Sequence, residues 1–71
     1  MQMYIFKKEL RNELLDGRSI KYVAQKIGIS RVWLYKILNS ENKTSKAIAY
    51  YLVKACNPEA EIKDYFDRIG E

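Results

Sequence analysis

The stretch SIKYVAQKIGISRVWLYKILN, residues 19–39, sets the terms for the rest of this chain. It reads as two short helices joined by a tight turn. Ile20, Val23, Ala24 and Ile27 recur at the three-and-four spacing of one helical face. Gly28 then stops the pattern, as the residue best suited to the left-handed backbone that ends a helix. Ser30 follows as an N-cap, its hydroxyl able to accept a backbone N–H of the next helix. In that helix, a step of about 100° per residue places Arg31, Val32, Tyr35, Lys36 and Asn39 within an arc of roughly 140°. Trp33, Leu34, Ile37 and Leu38 fill the opposite arc. Such a cylinder can bury its back while its front offers a guanidinium, an ammonium, a phenol and an amide. A helix that reads the DNA major groove needs that division.

Charge is laid out unevenly along the chain. The net value is +4, but residues 1–57 carry a balance of +7 and residues 58–71 a balance of −3. A basic body attracts phosphates whatever their sequence, and the acidic end is expected to turn away from DNA. The alternative is that these charges only solvate the surface.

With these residues in hand, the stretch resembles the helix-turn-helix of the lambda-repressor-like (Cro/cI-type, XRE) DNA-binding family. The resemblance is carried by Val23, Ala24, Ile27, Gly28, Ile29, Leu34 and Ile37. It extends to a preceding helix and two following ones, so it implies an all-α fold, a compact bundle of five short helices over residues 1–71. It implies base contacts from Ser30 and from the front of the recognition helix, Arg31, Val32, Tyr35, Lys36 and Asn39, and phosphate contacts from Arg18, Ser19 and Lys21 and from the loop Asn42, Lys43 and Thr44. A cytoplasmic location, in a bacterium or encoded by a phage, is implied as well. Gln often opens the family's first motif helix and its recognition helix. Ile20 stands in the first place, without the phosphate contact that Gln makes there, and Arg31 stands in the second, which implies a different operator.

Taken in order, the first helix is expected from about Tyr4 to Leu15, with Phe6, Leu10 and Leu14 as its buried stripe. Asp16-Gly17 is a turn, and Ser19 caps the second helix. Arg18 and Lys21 near that helix start form either a phosphate clamp or two solvated cations. Trp33 lies at the edge of the apolar arc, where its ring is expected to pack against the fourth or fifth helix. After the polar loop 39–44, Thr44 or Ser45 caps a fourth helix whose core stripe reads Ile48, Tyr51, Leu52 and Ala55. Tyr50 and Val53 fall off that stripe and are available for a subunit contact. Asn57-Pro58 starts a fifth helix with Ile62, Tyr65, Phe66 and Ile69 on one face, ended by Gly70. That face closes the core, meets a second copy, or does both.

Composition narrows the functions. The chain has one cysteine, Cys56, and no histidine. An intrachain disulfide is impossible, and a structural zinc site is close to excluded. Cys56 reads as a small buried hydrophobe, with redox sensing as the alternative. No nucleophile–base pair or phosphate-cradling glycine loop suggests an enzyme, and no cofactor is expected. No run is long enough to cross a bilayer and no signal-peptide pattern opens the chain, so an intracellular location is expected. The expected function is sequence-specific binding of double-stranded DNA as a small Cro-like transcriptional regulator. A single module has a small interface, so a homodimer on a two-fold site is expected. Nine aromatics in 71 residues support a different class, a protein-interaction module such as an antitoxin or adaptor.

Overall fold

The computed structural model describes residues 3–69, and its first element is a strand, β1 (Met3–Phe6), where a helix was expected. Tyr4 and Phe6 are buried and alternate with half-buried Met3 and Ile5. That period of two belongs to a strand with one face on the core. The stripe Phe6, Leu10, Leu14 does reach the core, but by way of a strand, a 3-10 turn (Lys8–Leu10) and a short helix, α1 (Arg11–Leu15). Aromatic and β-branched residues favour this strand, yet its decisive partner lies some sixty residues away. Tyr4 pairs with Arg68 and Phe6 with Phe66.

The remaining elements are α2 (Ile20–Ile27), α3 (Arg31–Leu38), β2 (Thr44–Ser45), α4 (Lys46–Cys56), α5 (Ile62–Tyr65) and β3 (Phe66–Ile69). Among the described residues the fold is therefore mixed α/β, five α-helices with a three-stranded antiparallel sheet in the order β2-β1-β3, and not the all-α bundle expected. The expected fifth helix is cut to four residues. Asn57 does not cap it: its carbonyl accepts from the Ala60 N–H in a turn. Glu61 is the cap, sharing reciprocal bonds with Asp64, and the Glu61 N–H lies 2.9 Å from the Asp64 carboxylate. Phe66 then turns extended at φ −129° and ψ 148°, which feeds β3 alongside β1. Gly70 lies outside the described residues.

Helix α4 is a helix, as its period and cap indicate, but its buried face is rotated from the expected one. Ala49, Leu52, Val53 and Cys56 are buried, whereas Tyr51 is 55% exposed. Val53 is thus a core residue and unavailable to a subunit contact, while Tyr50 does face solvent. Isoleucine at 48 and alanine at 55 sit at the margin of that face. Both stripes have helical spacing, so periodicity cannot choose between them; packing of Ala49 against neighbouring elements decides. Ser45, not Thr44, is the N-cap and accepts from the Ile48 N–H at 3.3 Å. Among the described residues no helix is long and apolar enough to cross a membrane.

One core joins the elements. Phe6 and Phe66 meet edge to face at 5.2 Å between ring centres. Around them lie Leu14, Leu15, Val23, Ala24, Leu34, Ile37, Leu38 and Leu52. Burying each of the larger aliphatic side chains is worth about 1.5–3 kcal/mol. The turn between α2 and α3 depends on Gly28, which sits at φ +83° with open space where a Cβ would stand. A Gly28→Ala variant therefore meets no clash and suffers only the left-handed backbone cost, about 1–2 kcal/mol. Thermal unfolding should show a Tm lowered by several degrees with the far-ultraviolet spectrum unchanged.

Candidate nucleic-acid interface

Helix α3 is held at both ends and along its back. At its start the Ser30 hydroxyl accepts the Trp33 N–H at 3.0 Å, as its place before the helix requires. Leu34, Ile37 and Leu38 are fully buried, and α3 packs against α2 and β1. Beyond its end, Ser40 adopts a left-handed conformation at φ 62° and donates its hydroxyl to the Phe6 carbonyl at 2.6 Å. The Glu41 N–H bonds to the Lys36 carbonyl at 2.9 Å. The helix is thereby tied to the sheet, and its roll about its own axis is set.

That roll leaves the predicted front in solvent. Ser30, Arg31, Val32, Tyr35 and Lys36 are all exposed, and Val32 reaches 65%. Asn39, at the end of the arc, is half-buried. Ile20, Arg31, Val32 and Tyr35 line one shallow depression, so the start of α2 and the front of α3 form a continuous surface. Ser19 and Lys21 flank Ile20 and are themselves exposed. Trp33, 40% exposed, stands at the border of the buried arc and not within the core.

Sequence reasoning missed Arg11, which stiffens this surface. Its Nη1 donates to the Asn39 Oδ1 at 3.1 Å, and its guanidinium lies 5.5 Å from the centre of the Tyr35 ring. One planar cation thus positions two residues of the front, and it leaves the Asn39 NH₂ as the part able to reach outward. No local signal reveals this contact, because 28 residues separate Arg11 from Asn39.

The expected phosphate contacts fare unequally. Lys21 and Lys43 are exposed, and Asn42 is half-buried. Ser19 is exposed, but its oxygen accepts the Tyr22 N–H at 3.0 Å and so serves first as the cap of α2. Arg18 is half-buried and turned back, its Nη1 donating to the Leu15 carbonyl at 3.1 Å. Thr44 does not belong to this set. It is 2% exposed, pairs in β2 with Tyr4 of β1, and its hydroxyl has no hydrogen-bond partner among the described residues. Strand pairing draws it inward, an outcome that a loop reading of residues 39–44 could not foresee.

Cys56 is buried at the end of α4. Burial pushes its thiol pKa up from its ordinary value, against a smaller opposing pull from the Arg18 and Lys26 charges. A buried thiol held in its neutral form is a poor nucleophile. Labelling with a maleimide at pH 8 should be slow in the native protein and fast once denaturant is added; rapid native labelling would contradict this burial. Comparison with family models, curated proteins and solved structures finds no match.

Proposed function

We propose that this chain binds double-stranded DNA sequence-specifically, with α3 laid in the major groove. We further propose that α2 and α3 are a helix-turn-helix of the lambda-repressor-like kind, set on a small sheet. The observation that carries the reading is the exposure of Arg31, Val32, Tyr35 and Lys36 on a helix whose opposite residues are fully buried. On this surface Arg31 would donate to the O6 and N7 of a guanine, and Val32 would meet a thymine methyl. Tyr35, Lys36 and the Asn39 amide would reach bases or flanking phosphates, with Ser30 at the groove edge. Ser19, Lys21, Lys43 and Asn42 would supply phosphate contacts, which fix register without reading sequence.

Size supports a homodimer. The longest dimension of the molecule is 32 Å, about one turn of DNA, so two recognition helices on successive groove faces need two copies. Such a protein would act as a small transcriptional regulator in the cytoplasm of a bacterium, phage-encoded or chromosomal. A second reading, a protein-interaction module, is favoured by one observation. Tyr50 and Tyr51 form an edge-to-face pair at 6.1 Å and are 49% and 55% exposed. Salt separates the two, because phosphate contacts weaken steeply with added salt while an aromatic interface responds weakly.

Selection from a random duplex library tests the proposal, the expected winners being palindromes with half-sites about 10 base pairs apart. Failure to enrich any sequence would contradict it. On the selected site, Arg31→Ala should cost about 1–3 kcal/mol and relax preference at one base pair, whereas Lys43→Ala should weaken all sequences alike. Arg11→Lys keeps the charge but loses the planar fork. It should lower affinity for the selected site about five- to tenfold while leaving binding to scrambled DNA unchanged.

A further inference from the structure

A groove of about 410 Å³ runs between α4 and the segment formed by α5 and β3, and no residue of α2 or α3 lines it. Its floor is apolar: Tyr4 of β1, Ile62 of α5 and Phe66 of β3. Lys46, Tyr50 and Lys54 form one wall, four residues apart along a single face of α4. Lys63 and Arg68 stand on the opposite side.

The charges here are unbalanced in a specific way. Among the described residues, four cations line the groove against one carboxylate, Glu61, which lies 3.7 Å from Lys63. Lys54 is committed elsewhere, its ammonium donating to the Pro58 and Ala60 carbonyls at 3.1 and 2.7 Å. Lys46 and Arg68 are exposed, and neither has an ion pair among the described residues. An apolar trough with two uncommitted cations at its rim is complementary to an anion with a greasy body.

We propose that this groove binds a small soluble carboxylate with an aromatic or medium-length aliphatic body. The body would lie along the Tyr50 ring and Ile62, where burying apolar surface favours it by about 25 cal/mol per Å². The carboxylate would accept charge-assisted hydrogen bonds from the Arg68 guanidinium and the Lys46 ammonium. The volume falls within the range of small-ligand sites, roughly 300–1,000 Å³. A lipid surface fits less well, because membrane-binding faces project their apolar side chains outward, whereas Tyr4 and Phe66 are recessed and buried. The inference is independent of DNA binding, since the groove and the front of α3 share no residue.

The test is a proton–nitrogen NMR titration of the full chain with 2-naphthoate, with neutral 2-naphthalenemethanol run in parallel. The expected result is saturable shifts confined to amides of Tyr4 and of residues 46–54 and 61–68, with the alcohol binding more weakly. Arg68→Glu should weaken naphthoate about tenfold and Arg68→Gln by less. Lys43→Glu, the same charge change away from the groove, should leave it unaltered. Shifts centred elsewhere, shifts that stay linear without saturation, or an equal loss in Lys43→Glu would each overturn the proposal.

Discussion

The burial of Leu34, Ile37 and Leu38 is the contact on which the rest of this molecule depends. These three side chains are fully buried, and they seat α3 against α2 and β1. Truncating any one to alanine would remove apolar contact and leave a cavity, a loss of about 2–5 kcal/mol. A domain of this size has little more than that to spare. The same seating fixes which residues face out, because burying the apolar arc against α2 and β1 turns Arg31, Val32, Tyr35 and Lys36 to solvent. Stability and the proposed function thus share one helix, with the back of α3 serving the first and its front the second.

The sheet adds what the helices alone do not. Residues 3–6 and 66–69 lie near opposite ends of the described chain, and their antiparallel pairing closes the fold like a clasp. The Lys7 N–H extends it by bonding to the Tyr65 carbonyl at 2.8 Å, and the Lys7 ammonium lies 3.9 Å from the Asp67 carboxylate. That ion pair joins a half-buried lysine to an exposed aspartate and contributes little; the Phe6–Phe66 contact carries more of the weight. Because Ser40 bonds to the Phe6 carbonyl, the clasp also reaches the end of α3. Loss of β1 would therefore loosen the proposed reading surface as well as the core.

Much of the site was legible because its determinants are local. Ser19, Gly28 and Ser30 act where they stand, through backbone conformation and capping bonds within four residues. The apolar arc of α3 needed only the period of a helix. What could not be read is what depends on distant partners. Residues 3–6 and 66–69 share helical spacing with their neighbours, so a strand was recognisable only by knowing that the two segments meet. Thr44 has a loop-like sequence context and became a buried strand residue for the same reason. The phase of α4 was set by Ala49 and Val53 meeting the core, a choice between two equally periodic faces. Arg11 reaches Asn39 and Tyr35 across the fold, and nothing near it in the chain announces them.

The central claim is that α3, seated by its back, is the surface that meets DNA. The most direct measurement is a proton–nitrogen NMR titration of the protein with a duplex taken from the random-library selection. Docking through α3 requires the largest shifts at the amides of Ser30, Arg31, Val32, Tyr35 and Lys36, with lesser ones at Ser19, Lys21 and Lys43. Shifts centred on Tyr50 and Tyr51 of α4, with the front of α3 unmoved, would contradict it.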